Sequence, residues 1–313
     1  MLRPIRLLAG PLLLWALALP AQEETPVFRS DTRLVVLHAT VIDKNGNLVT
    51  DLPQSAFKVF EDGVEQKLKV FRREDVPVSL GLVVDNSGSM RDKRTRVEAA
   101  ALALVKASNR DDEVFIVNFN DEAFLDVDMT GDIKKLEEGL TRIDSRGGTA
   151  MRDAISMSLD HLLAKARRDK KILFMVTDGN DNTSVMGLEK LVQKVQSAEA
   201  LIYAIGLLAE EDRREGKRAR RALKTITEAT GGKAYFPESL SEVEGLSLAV
   251  AHDIRNQYIL AYTPAKQELD GTYRRIRVTA EGRDRPTVRT RTGYYATSLQ
   301  APKQVKPTSA AIR

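Results

Sequence analysis

Cysteine is absent from the 313 residues, and histidine occurs only at His38, His161 and His252. Disulfide frameworks, thiol catalysis and Cys-based zinc sites are thereby excluded, and three scattered His do not make a multi-His metal cage. Each of the three reads as an ordinary strand or helix residue. An excess of one charge sign is also nearly missing. The formal charge is +4, but residues 1–21 hold Arg3 and Arg6 with no acid, and 297–313 hold Lys303, Lys306 and Arg313 with no acid. Residues 22–296 set 43 basic against 44 acidic residues. The basic surplus sits at the two ends, so a nucleic-acid partner is not expected.

Long apolar runs are missing after the start of the chain. Met1–Ala21 has a basic front, a 13-residue apolar run from Leu7 to Leu19, and then Pro20-Ala21-Gln22. This is the three-part form of a secretory signal peptide, with cleavage after Ala21. The run is short of the roughly 20 residues of a membrane span. An uncleaved anchor is the alternative. The expectation is an exported protein, periplasmic, cell-surface or secreted, with a soluble mature part.

What is present is an ordinary stock of core residues, 42% apolar. Residues 22–76 form a β-rich flank: Thr32–Thr40, Phe57–Glu61 and Gln66–Phe71 are strand-like, with turns at Asn45-Gly46 and Asp62-Gly63. They predict a small antiparallel layer of three or four strands. From Val76 the pattern changes. Val78–Asp85 is nearly all apolar, as for a strand buried on both faces. Val97, Ala100, Ala101, Leu104 and Val105 then repeat at helical spacing. Val114–Asn118 and Ala123–Val127 read as hairpin partners. Helices are predicted at Asp132–Leu140, around Met151–Leu162, and at Leu188–Ala198, Arg213–Ala229 and Leu240–Arg255. Strands are predicted at Ile172–Val176, Leu201–Leu207 and Ala234–Phe236.

Such alternation over residues 77–255 predicts an α/β domain with a doubly wound, mostly parallel sheet. Residues 256–296 return to β, with strands at Tyr258–Tyr262, Tyr273–Thr279 and Thr287–Arg291. The two β-rich flanks either pair into one small sandwich or form separate flaps; the sequence fits both. Residues 297–313 read as a disordered tail.

Ligands of doubly wound sheets bind beyond the carboxyl ends of the strands. Asp85-Asn86-Ser87-Gly88-Ser89 follows the first parallel strand. Gly147-Gly148-Thr149 precedes the helix at Met151. Thr177-Asp178-Gly179 follows the strand Ile172–Val176. Two carboxylates and three hydroxyls are a hard-oxygen set, suited to Mg²⁺, with Mn²⁺ or Ca²⁺ as alternatives. The alternate spacing of Asp85, Ser87 and Ser89 aims several oxygens at one point, and Gly88 is expected to permit the bend. An ion held mostly by neutral hydroxyls stays electrophilic and favours an incoming carboxylate.

Asp85-x-Ser87-x-Ser89, Thr149 in Gly-Gly-Thr-Ala and Asp178 in Thr-Asp-Gly resemble the metal-ion-dependent adhesion site of von Willebrand factor type A domains. The resemblance covers about residues 77–255, and the β flanks and signal peptide resemble exported bacterial members. It implies a Rossmann-like fold and a metal bound through the hydroxyls of Ser87, Ser89 and Thr149. Asp85 and Asp178 would act directly or through water. The implied activity is non-enzymatic: metal-dependent binding of a protein ligand whose acidic residue completes the metal shell. Asp153 is expected to orient or cap, and Asp181 to be a loop residue.

Lys165–Lys171 and Arg213–Arg221 read as solvated helix faces. Arg274, Arg275, Arg277, Arg283, Arg285, Arg289 and Arg291 form a denser basic cluster, offering contact with an anionic envelope surface or an acidic partner. Neither a Gly-x-Ser-x-Gly elbow nor a Walker loop is present. Two further functions stay open: a metal-dependent envelope hydrolase, and an assembly scaffold in which the metal only stabilises.

Overall fold

The computed structural model describes residues 34–297, apart from 74, 142–144, 180, 209–212 and 284. The export signal and, except for Thr297, the tail lie outside these residues. The N-terminal flank gives strands β1 (Val35–Ile42), β2 (Phe57–Glu61), β3 (Val64–Gln66) and β4 (Leu68–Arg72). The central block begins with β5 (Val78–Asp85), α1 (Arg94–Lys106), β6 (Glu113–Phe119), β7 (Ala123–Thr130) and α2 (Ile133–Thr141). It continues with α3 (Met151–Lys165), β8 (Lys170–Thr177), α4 (Leu188–Ser197), β9 (Leu201–Gly206), α5 (Arg213–Thr230), β10 (Ala234–Tyr235) and α6 (Val243–Arg255). The C-terminal flank gives β11 (Tyr258–Tyr262), β12 (Tyr273–Ala280), β13 (Thr287–Arg289) and β14 (Gly293–Tyr295).

The central sheet has the order β10-β9-β8-β5-β6-β7. All neighbours are parallel except β7, which closes a hairpin on β6. Every residue of β5 and β6 is buried, because helices cover both faces. Leu80, Leu82 and Val84 of β5 pack with Val97 and Leu104 of α1, Leu136 of α2 and Val250 of α6. Val83 and Phe115 pack on the other side with Ile155 and Leu159 of α3, Val195 of α4 and Leu223 of α5. Each such fully buried side chain contributes about 1.5–3 kcal/mol. This is the doubly wound α/β fold that the alternation predicted.

The flanks pair with each other. One antiparallel sheet runs β13-β1-β11-β4 and a second runs β14-β12-β2-β3. Val35 pairs with Tyr262, and Glu61 with Ile276. The inner faces share one core of Leu37, Val59, Tyr258, Leu260, Tyr262 and Val278. The sheets are also joined by a buried polar bridge, in which Tyr262 Oη and Tyr294 Oη donate to Glu61 Oε2 at 2.7 and 3.0 Å. The local N-terminal layer expected from the sequence is therefore not formed. Its strands are divided between two sheets, each completed from the far end of the chain. β14 escaped the sequence reading because a three-residue strand carries no periodicity.

Side-chain ties lock the sandwich onto the α/β block. Thr40 Oγ1 donates to Asp253 Oδ1 at 2.8 Å, and Arg289 forms an ion pair with the same carboxylate. Gln257 Nε2 reaches Thr40 Oγ1 and Tyr203 Oη at 3.0 and 3.1 Å.

The C-terminal arginines do not form one surface patch. Arg274 is buried and paired with Asp270, and Arg277 lies over the Phe60 ring. Arg289 is bound to Asp253, and Arg291 donates to the carbonyls of Gly293 and Gln196. Among the described residues, no helix is long and apolar enough to cross a membrane.

Candidate metal centre

Winding runs outward from β5 in both directions, to β6 on one side and β8 on the other. The crevice at the carboxyl ends of β5 and β8 is therefore the topological switch point, where this fold class binds ligands. Asp85 ends β5, and Asp178 directly follows β8.

Asp85 is buried, with 2% of its surface exposed. Its Oδ1 accepts the Ser87 amide at 2.9 Å, and its Oδ2 accepts Thr177 Oγ1 at 2.5 Å. Thr177 Oγ1 in turn accepts the Gly179 amide at 2.9 Å. Burial first, then the negative charge of Asp178, pushes the Asp85 carboxyl up to about 6, against the opposing hydrogen bonds from Ser87 and Thr177.

The Ser87 and Ser89 hydroxyls lie 3.1 Å apart, Ser87 buried and Ser89 exposed. Asp178 Oδ2 accepts the Lys93 ammonium at 3.2 Å. Asp178 Oδ1 is shut off from solvent and has no hydrogen-bond partner.

Backbone bonds bring the Thr149 loop to the same edge. Arg146 N donates to Asn86 O at 3.0 Å, and Gly88 N donates to Gly147 O at 3.1 Å. Gly148 N is held by Asp121 Oδ1 at 2.7 Å, and Thr149 N by Asn182 Oδ1 at 2.9 Å. Gly147 has φ +77°, and a Cβ there would stand 2.1 Å from Asp121 Oδ2. The glycine requirement thus falls on Gly147. At Gly88, a Cβ would meet Gly147 O at an ordinary 3.5 Å, so the bend expected to need glycine there does not.

Asp153 accepts the amides of Val185 and Met186 at 2.8 and 2.9 Å, which fixes the loop facing Thr149. Asp181 is more than a loop residue. It accepts Arg152 N at 2.8 Å and grips the Arg152 guanidinium at 3.0 and 2.9 Å. With Ser184 Oγ, 3.1 Å from Arg152 N, it satisfies first-turn amides of α3 that have no partner within the helix.

The structure therefore places all five candidate residues, Asp85, Ser87, Ser89, Thr149 and Asp178, at one sheet edge, Asp85 at the end of β5 and the others on segments tied to it. Sequence reasoning missed Lys93, Asp121 and Asn182, and gave Thr177 no role. Lys93 is one charge among several in Arg91–Arg96, and nothing in that run marks it out.

The donor set fits a hard divalent cation on two observations. Asp178 Oδ1 is a buried carboxylate oxygen with no partner, a costly state unless a cation or water completes it. Both Asp85 oxygens are already hydrogen-bonded, so Asp85 would act through its neighbours and through water. Among the described residues, no group of three or more His, Cys, Asp or Glu is arranged to hold a metal, so any ion here depends on hydroxyls. The three His lie elsewhere: His38 in β1, His161 against Asp128 at 3.0 Å, and His252 exposed on α6.

Residues 80–180 match the family model "von Willebrand factor type A domain". An uncharacterized Synechocystis protein, sll0103, is 27% identical over 110 residues, covering 34% of this chain and 26% of that protein. The mouse calcium-activated chloride channel regulator 1 is 25% identical over 181 residues, covering 54% of this chain and 18% of that one. The chain thus spans only about a quarter or less of the length of these relatives. Among solved structures, a von Willebrand factor type A protein from Catenulispora acidiphila aligns with TM-score 0.50 and 14% identity, covering 86% of this chain and 75% of that one. Together with the doubly wound sheet, the match over residues 80–180 identifies a von Willebrand factor type A domain in this chain.

Proposed function

We propose that the chain is a protein-binding module, working outside the cytoplasm, whose binding depends on a divalent cation, Mg²⁺ foremost, with Mn²⁺ or Ca²⁺ as alternatives. Ser87, Ser89, Thr149 and Asp178 would hold the ion. Asp85, fixed by Thr177 and the Ser87 amide, would orient the seryl loop and supply second negative charge. When bound, the cation supplies an electrophilic coordination position for a partner's carboxylate. The chain's own part is to hold the hydroxyls and the Asp178 carboxylate in place and to keep Asp85 dry. The observation that carries this reading is the buried, unpartnered Asp178 Oδ1 at the same sheet edge as the paired Ser87 and Ser89 hydroxyls.

A protein-binding role is favoured over an enzymatic one because, among the described residues, no general base other than the site's own two carboxylates contacts the five donors. Lys93 is an ammonium ion-paired to Asp178, and Thr177 and Asn182 are neutral. The test is capture of envelope proteins by wild type and by the Ser87→Ala/Ser89→Ala variant, each in Mg²⁺ and in EDTA. Capture only by wild type in Mg²⁺ is expected, and equal capture in all four arms contradicts the reading.

A further inference from the structure

A cleft lies at the other pole of the central sheet, independent of the metal reading. Its volume is about 670 Å³, within the range of small-molecule sites. The eight residues of β5 separate the two poles by roughly 25 Å at ~3.3 Å per residue.

One wall is the outer face of a sandwich sheet. Strand alternation turns Val35, Leu37 and Ala39 of β1 into the sandwich core. The same alternation turns Leu34, Val36 and His38 the other way, into the cleft. Cross-strand register continues this face: Ile259 pairs with both His38 and Arg72, and Ala261 with both Val36 and Val70. Leu34 and Val36 are 41% and 38% exposed, which leaves an apolar strip open in the cleft.

The other wall is the edge where β8 and β9 begin, and it is cationic. Arg167, Arg168, Lys170 and Lys171 line it, with Arg72 and Arg291 opposite and only Asp169 and Glu199 as acids. The run over Lys165–Lys171 is thus not a solvated helix face, since α3 ends at Lys165. Several of these cations are already engaged. Arg167 pairs with Glu113 at 2.8 Å, Lys170 donates to Ile254 O, and Arg291 holds Gln196 O at 2.9 Å. The guanidiniums of Arg72 and Arg168 have no hydrogen-bonding or carboxylate partner among the described residues, and Arg168 Nε is shielded from solvent. His38 Nδ1 is likewise buried and unpartnered. Burial, followed by the charges of Lys170, Arg291 and Lys171, pushes the His38 imidazole down to about 3, which registers the positive potential of the cleft.

We propose that this cleft binds an amphiphilic anion, with a phosphate or carboxylate head on the Arg72 and Arg168 guanidiniums and an aliphatic body along Leu34, Val36 and Ile259. A planar, two-pronged donor suits such a head group, and the apolar strip excludes a purely inorganic ion as the preferred ligand.

The test is calorimetric titration of the full chain with octyl phosphate, inorganic phosphate and octanol. Octyl phosphate is expected to bind at least tenfold more tightly than either partial probe. The Arg72→Gln/Arg168→Gln variant should weaken it at least tenfold while leaving the Mg²⁺ response unchanged. A Val36→Glu variant, altering an exposed position, should have the same effect. Sedimentation with phosphatidylglycerol vesicles, lost in the double variant, would assign the head group to a membrane lipid; octyl phosphate binding without vesicle binding would assign it to a free amphiphile. Absence of octyl phosphate binding, equal binding of inorganic phosphate, or undiminished binding by the double variant would overturn the proposal.

Discussion

Lys93 Nζ stands 3.2 Å from Asp178 Oδ2, so the carboxylate offered to a divalent cation already carries a monovalent one. Their side chains are 20% and 7% exposed, so solvent screens the pair only in part. The ammonium both steadies the metal-free loop and opposes a second positive charge. Lys93→Gln is expected to raise Mg²⁺ affinity by about three- to tenfold, up to ~1.4 kcal/mol. Calorimetry in low salt measures it, and an unchanged or weaker affinity would show that Lys93 does not compete with the ion.

Asp85 gives a pH dependence of unusual sign. Its carboxyl in the folded chain titrates near 6, above the ordinary 3.8. The protonated form is thus favoured by folding. Its stabilising contribution is complete below about pH 4 and is lost as pH rises through about 6. In EDTA, the Tm advantage of Asp85→Asn over wild type should grow between about pH 4 and pH 7. Mg²⁺ affinity of wild type should rise up to about tenfold per pH unit below 6 and level above it. A pH-independent difference would contradict the assigned burial and charge coupling.

Thr177→Val keeps the shape of the side chain and removes the 2.5 Å hydrogen bond to Asp85 Oδ2. A buried carboxylate oxygen then loses its partner, at a cost of about 1–3 kcal/mol. The expected readout is a lower Tm in EDTA, largest above pH 6, where Asp85 is ionised.

The two glycines of the site should separate cleanly. Gly147→Ala forces a Cβ onto a left-handed backbone, 2.1 Å from Asp121 Oδ2, and should cost about 1–3 kcal/mol. Gly88→Ala meets only an ordinary contact and should stay within about 0.5 kcal/mol. Urea denaturation of both variants checks the contrast; equal losses would mean that the loop bends at Gly88 after all.

The uneven legibility of the chain follows from how far each signal reaches. The nearly all-apolar, fully buried β5 and the helical spacing of Val97 to Val105 are local, and the structure reproduces both. The five candidate positions could be set at one sheet edge because each ends such an element or lies within four residues of one. The sandwich was legible only as one of two alternatives, because its pairs join residues far apart, such as Val35 and Tyr262, and no local pattern encodes a partner. Arginines 274 to 291 looked like one patch because sequence density hides alternation: Arg274 is buried, whereas Arg275 and Arg277 are exposed. Lys93 and Thr177 carry their roles through single contacts across 85 and 92 residues of sequence separation.

Whether the Asp178 and seryl oxygens hold a cation is read most directly by Mg²⁺ titration of wild type, Ser87→Ala/Ser89→Ala and Asp178→Asn, with folding of each confirmed by circular dichroism. One Mg²⁺ per wild-type chain is expected, with at least a tenfold loss of affinity in both variants. Undiminished binding by the variants, or none by wild type, would contradict it.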